Sequence, residues 1–145
     1  MRPSRSVALA LLFLSIPVTT AGCQLTAPSE DTRDIVIAAD LELSGATAAV
    51  GTAYRRALEL KIDQVNQRGV LGHRKIKLIY KDNRSDRTLS LTNVAEFANN
   101  TEVTAIITGA CSSCIMASSK ILNEKRIPAI ALAPAQEVAN PVSDR

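Results

Sequence analysis

Gly109-Ala110-Cys111-Ser112-Ser113-Cys114 brings two hydroxyls, two thiols and a run of backbone N–H groups into six positions. An apolar run precedes it and a helical pattern follows, so the segment leaves a strand and enters a helix. Unpaired N–H groups at such a helix start point into a crevice and can hold an anion such as a carboxylate. Ser112 and Ser113 could add hydrogen bonds to that anion, or simply cap the helix, since serine is a preferred cap residue. Cys111 and Cys114 form a CxxC at a helix N-terminus, the setting in which thiolates are stabilised and thiol redox centres occur. The two can bridge each other or stay as thiols. A zinc site would need two further ligands, and the single histidine, His73, falls in a turn elsewhere. Leu43-Ser44-Gly45, with Gly51 six residues on, lacks the GxGxxG spacing of a dinucleotide site and has no P-loop lysine. Neither cofactor nor metal is expected.

The elements that position these residues alternate in type. Ile35 to Ala39 is a continuous apolar run of the kind buried on both faces of a parallel sheet. Thr52 to Arg68 keeps helical spacing at Tyr54, Ala57, Leu58, Ile62 and Val65, and Gly69 ends it. Ile76 to Tyr80 reads as a second strand, and Asp82 to Asp86 as a polar turn. Leu91, Val94, Ala95 and Ala98 mark a second helix at offsets 0, 3, 4 and 7. Val103 to Ile107 is a third strand, Ile115 to Leu122 a third helix, and Pro128 introduces a fourth strand, Ala129 to Leu132. This is a β-α-β pattern: an α/β fold with a parallel sheet and helices on both faces. Ligands of such sheets sit at the carboxyl ends of the strands. Three loops qualify there: Leu41 to Gly51, Gly109 to Cys114, and Ala133 to Val138.

The N-terminus carries a second kind of chemistry. Arg2 and Arg5 precede the apolar run Val7 to Pro17, too short to span a bilayer, and Ala21-Gly22 lead to Cys23. This resembles a bacterial lipoprotein signal, although Thr20 stands where that motif usually has Leu. The resemblance implies removal of residues 1–22, a lipid on Cys23 that anchors the protein to the cell membrane, and an extracytoplasmic location. Residues 23–33 hold Pro28, Ser29, Glu30 and Asp31 without apolar periodicity and read as a flexible tether. Residues 34–145 then form one small domain. The precursor has 17 Lys and Arg against 14 Asp and Glu, and loss of Arg2 and Arg5 leaves the mature chain close to neutral. With no basic runs, and aromatics at only 3%, nucleic acid is not an expected partner.

Several fragments occur in one order: Asp34 to Ile37 with Leu43-Ser44-Gly45; Val65 to Gly72; Lys75 to Leu78; Asp82; Ser85-Asp86; and Gly109 to Ser113. Together they resemble the N-terminal lobe of type I periplasmic solute-binding proteins, the branched-chain amino acid (Leu/Ile/Val) branch of ABC importers, over roughly Ile35 to Pro141. The resemblance implies a binding protein rather than an enzyme, with a small solute such as an amino acid and an ABC permease as partners. It also implies that Ser112 holds the solute carboxylate with backbone at Ala110, that Cys111 and Ser113 lie beside it, and that Ala133 and Ala135 line the loop after the fourth strand. A threonine usual in that loop is absent from Ala133-Pro134-Ala135, and a ring usual in the first loop falls at Val50. In some relatives the cysteine matching Cys111 pairs with one matching Ser85, which cannot bridge here. Relatives carry a second lobe that meets the solute's ammonium, so the chain is expected to be an incomplete receptor, inactive on its own. A sensor lobe of the same fold, and a thiol redox protein using Cys111 and Cys114, are the alternatives. Thioredoxin-like proteins place CxxC after the first core strand, whereas here it follows the third.

Overall fold

The computed structural model describes residues 32–139. Residues 1–22, Cys23 and nearly all of the 23–33 tether lie outside the described residues. Within them the chain runs β1 (Ile35–Leu41), α1 (Ala48–Arg68), β2 (Ile76–Asp82), α2 (Arg87–Asn99), β3 (Val103–Thr108), α3 (Ser112–Lys125), β4 (Ala129–Ala131) and a short α4 (Gln136–Ala139). All strand pairs are parallel, in the order β2-β1-β3-β4. The expected parallel α/β sheet is what the residues form.

Two apolar clusters sandwich the sheet. On one face Ala38, Val103 and Ile106 pack with Val94 and Phe97 of α2 and Leu122 of α3. On the other, Ala39, Leu41 and Ile107 meet Tyr54 and Leu58 of α1. Each fully buried large side chain among these contributes about 1.5–3 kcal/mol of transfer free energy. Central β1 therefore needs apolar residues on both faces, which explains its unbroken run.

Three local readings change. α1 begins at Ala48, four residues earlier than its spacing suggests, and Ala57 is exposed. The buried stripe of α2 is Ser90, Asn93, Val94 and Phe97, one position round from the expected Leu91, Val94, Ala95 and Ala98. β1 continues past Ala39 through Asp40 and Leu41, and Asp40 and Glu42 are both 0% exposed.

Order β2-β1-β3 makes the carboxyl ends of β1 and β3 a switch point, where one connection leads left and the next leads right and a crevice opens. The loops after β1 and β3 meet there.

Candidate functional site

Glu42 and Asp40 follow Ala38 on the side of β1 that faces α2, as strand alternation requires. Two carboxylates out of water are expensive unless donors surround them. Asp40 Oδ2 accepts from Ser90 Oγ (2.5 Å) and Asn83 Nδ2 (3.0 Å), and Oδ1 accepts from Asn93 Nδ2 (2.9 Å). This is why serine and asparagine sit on the buried stripe of α2. Burial pushes the Asp40 carboxyl above the usual aspartate range; bonds from Ser90, Asn93 and Asn83 oppose that and the nearby Glu42 adds to it.

Glu42 reaches across to the β3–α3 loop. Its Oε2 accepts from Ala110 N–H (2.9 Å), and its Oε1 from Cys111 N–H (3.1 Å) and Asn83 Nδ2 (3.3 Å). Gly109 makes the approach possible: a Cβ there would lie 2.2 Å from Glu42 Oε2 and 2.6 Å from Oε1. Asn83 ties in the turn between β2 and α2, since its Oδ1 accepts from Ser85 N–H (2.9 Å).

Asp82, at the end of β2, binds the first loop. Its Oδ1 accepts from the N–H groups of Leu43 (2.9 Å), Ser44 (3.1 Å) and Arg84 (2.8 Å), and its Oδ2 from Ser44 Oγ (2.6 Å). Burial pulls this carboxyl upward, but the four hydrogen bonds outweigh it and hold Asp82 below the usual range. Arg84 and Ser85 take left-handed φ values of 54° and 57°, a conformation secured by the Asp82 and Asn83 side chains that accept their N–H groups. Ser85 in turn accepts from Thr47 N–H (3.2 Å). The motif residues Ser44, Asp82 and Ser85 thus brace loops against one another.

The cap of α3 is Cys111, whose sulfur accepts from Cys114 N–H (3.3 Å). Neither serine caps the helix; Ser112 is its first residue and Ser113 its second. Cys111 and Cys114 are bridged, with Cα atoms 5.2 Å apart, and the bridge encloses the two serines. Cys114 is buried at 2% exposure and Cys111 is half-buried. With Ala110 and Cys111 N–H on Glu42, the N–H groups of Ser112 and Ser113 are the ones that take no backbone or side-chain partner among the described residues. Ser112 is half-buried and Ser113 exposed. An anion at this helix start would therefore meet two N–H donors, two hydroxyls and the positive end of α3.

Ala133 and Ala135 follow β4, the strand beside β3, so they lie at the same edge of the sheet as Ser112. Leu132 N–H donates to Thr108 O (3.0 Å), and Tyr54 Oη of α1 donates to Leu132 O (3.3 Å), fixing this loop's root. Val50, near the start of α1, is exposed. His73 is exposed in a turn. Among the described residues no group of three or more His, Cys, Asp and Glu could hold a metal ion.

Asp40, Glu42 and Asn83 escape a reading by residue type. Their one sequence signal is position: two acids at alternate positions continuing a buried strand, opposite a helix whose apolar stripe is interrupted by Ser90 and Asn93.

Parallel strands in this order, with a helix start at the switch point, are common to several folds. The family model described as periplasmic binding protein matches residues 34–145. The chain belongs to the periplasmic binding protein family. Membership carries an extracytoplasmic location and a family of binding proteins rather than enzymes. Among solved structures, the substrate-binding protein of a branched-chain amino acid transporter from Streptococcus pneumoniae, in complex with isoleucine, is 26% identical with a TM-score of 0.65, covering 69% of this chain and 29% of that one. A fatty acid ABC transporter substrate-binding protein from Thermomonospora curvata is 25% identical with a TM-score of 0.64, covering 70% and 25%. An extracellular ligand-binding receptor from Rhodopseudomonas palustris is 30% identical with a TM-score of 0.59, covering 72% and 27%. The chain thus spans under a third of the length of these structures. No curated protein matches it.

Proposed function

We propose that the chain provides one lobe of the substrate-binding component of an ABC importer, with a solute carboxylate held at the start of α3 by Ser112 and Ser113. The observation that carries the reading is the pair of unengaged N–H groups at Ser112 and Ser113, at the switch point of the sheet and next in the turn to Ala110 and Cys111, whose N–H groups Glu42 takes. Isoleucine and fatty acids, named for two of the similar structures, share a carboxylate. An amino acid is the preferred solute, branched-chain or related. Ala133 and Ala135 would bound the solute on the β4 side, and Cys111 and Ala110 would support the carboxylate turn without contributing their own N–H groups. A second lobe would supply the facing wall and meet the ammonium. One lobe alone, offering about half the contacts of a micromolar site, is expected to bind at millimolar concentration or more weakly.

The partners are then a small solute, an ABC permease, and the membrane through a lipid on Cys23. The mass of the mature N-terminal peptide tests the anchor: an unmodified Cys23 removes it. For the solute, amide shifts of the isotope-labelled chain are followed as L-isoleucine, and separately a short fatty acid, is added to about 100 mM, well above a millimolar Kd. Saturable shifts centred on Ser112 and Ser113 support the reading, and the stronger ligand identifies the class. Shifts absent for both ligands, or centred elsewhere, overturn it.

A further inference from the structure

Glu42 has no part in solute binding by residue type, and it lies wholly out of solvent. Three donors nevertheless converge on its carboxylate, two of them the backbone N–H groups of Ala110 and Cys111 that a solute carboxylate would otherwise find first on leaving β3. The chain is shaped around this contact. Gly109 has no Cβ to obstruct it, and a Cβ on Gly51 in α1 would lie 2.2 Å from Glu42 O, so small residues pack both the side chain and the backbone of Glu42.

We propose that Glu42 is a positioning residue that acts as an internal carboxylate. It occupies the inner N–H pair of the β3–α3 turn, sets the direction in which α3 begins, and confines an incoming anion to the outer pair, Ser112 and Ser113. The proposal rests on the function given above for where the solute sits, but not for the state of the turn itself. Asn83 shares its amide between Asp40 and Glu42 and receives Ser85 N–H on its oxygen, so the position of Glu42 is in turn set by the β2–α2 turn as well as by the β3–α3 loop. Glutamine cannot replace it. A carboxamide has one acceptor oxygen, and with three donors converging its own N–H₂ would face at least one of them.

The test uses the full chain as wild type, Glu42→Gln and Glu42→Ala. Amide hydrogen exchange is read at Ala110 and Cys111 and, as internal references, at Ala38 and Ile106 in the sheet. The expected result in Glu42→Gln is exchange at Ala110 and Cys111 faster by about tenfold or more relative to those references, the factor that follows from losing a charge-assisted hydrogen bond. The amide shifts produced by L-isoleucine, confined to Ser112 and Ser113 in wild type, should spread inward to Ala110 and Cys111 in Glu42→Ala. Unchanged relative exchange at Ala110 and Cys111 in Glu42→Gln overturns the proposal, as does a rise matched by the references, which would make Glu42 a general stabiliser. If isoleucine shifts nothing in wild type, the solute reading fails while the exchange result still judges Glu42.

Discussion

Substituting Gly109 by alanine puts a methyl group where the Glu42 carboxyl already is, with contacts of 2.2, 2.6 and 2.7 Å to Oε2, Oε1 and Cδ. Ordinary carbon–oxygen contact needs about 1 Å more, and neither partner can yield freely. The Gly109 N–H is bonded to Asp40 O in the sheet (2.9 Å), and the carboxylate is held by Ala110, Cys111 and Asn83. Relief means breaking two of those charge-assisted bonds, each worth about 1.5–3 kcal/mol, with some recovery as groups rearrange. Gly109→Ala should therefore cost about 3–5 kcal/mol, a large part of the 5–15 kcal/mol total typical of a domain. Glu42→Ala alone should cost about 2–3 kcal/mol, since it strands two N–H groups but also removes a buried charge. In the double variant the new methyl enters space that Glu42 has vacated, so Gly109→Ala should add only about 1 kcal/mol there. Urea unfolding of the four proteins gives a coupling of about 2–4 kcal/mol if the clash is the cause. Additive losses, within about 0.5 kcal/mol, would refute the reasoning.

Ser112→Ala should leave stability within about 0.5 kcal/mol of wild type, because Cys111 caps the helix, while weakening the isoleucine-dependent shifts by about tenfold; a stability loss of 1 kcal/mol or more would return Ser112 to a structural role. Reduction of Cys111–Cys114 by a dithiol closes no long loop, since the residues are three apart, and should lower unfolding stability by about 2 kcal/mol or less, read from urea midpoints with and without reductant. Asp82 has its folded pKa below the ordinary aspartate value of 3.8, so the stability it contributes is present above that value and lost as pH falls through the folded one. The urea-midpoint gap between wild type and Asp82→Ala should accordingly be constant near neutrality and shrink in acid; a gap that widens in acid would contradict the assignment. Asp40 works with the opposite sign, because its raised folded pKa means that stability falls as pH rises from 3.8 through the folded value and is level above it, which a Ser90→Ala variant should accentuate by removing a donor to the ionised form.

Apolar periodicity made the order of strands and helices legible, because a four-stranded parallel sheet needs buried runs and helical stripes in alternation. Ile35 to Ala39 and Val103 to Ile107 announced the two central strands. Periodicity failed where burial and polarity part company. On α2 the stripe through Leu91 and Ala98 looked more apolar than the true one through Ser90 and Asn93, and only the charge of Asp40 beneath explains why two polar residues face the sheet. Glu42 was lost for the same reason: a glutamate past the end of an apolar run looks like a loop residue in water. The helix start was legible in place but not in detail. Serine's cap preference points to Ser112 or Ser113, whereas the chain caps α3 with Cys111, leaving both serine N–H groups open.

The buried acids also bear on how such a lobe can move. Asp40 and Glu42 are fully enclosed, and their donors come from α2, from Asn83 after β2, and from the loop after β3; Asp82 and Ser85 fasten the loop after β1 to the same Asn83 turn. Shifting α2, the Asn83 turn or the loop after β3 strips a bond from a carboxylate that water cannot reach, at a cost of about 1–3 kcal/mol or more for each group left unpaired. The wall at the switch point is therefore a unit with one favoured arrangement. Receptors that close on their solutes by hinge motion need at least one wall that holds its shape while the other swings. On the function proposed here this lobe is that wall, with a preset turn at Ser112 and Ser113, and the discrimination among solutes would fall to the simpler Ala133-Pro134-Ala135 loop and to residues facing it.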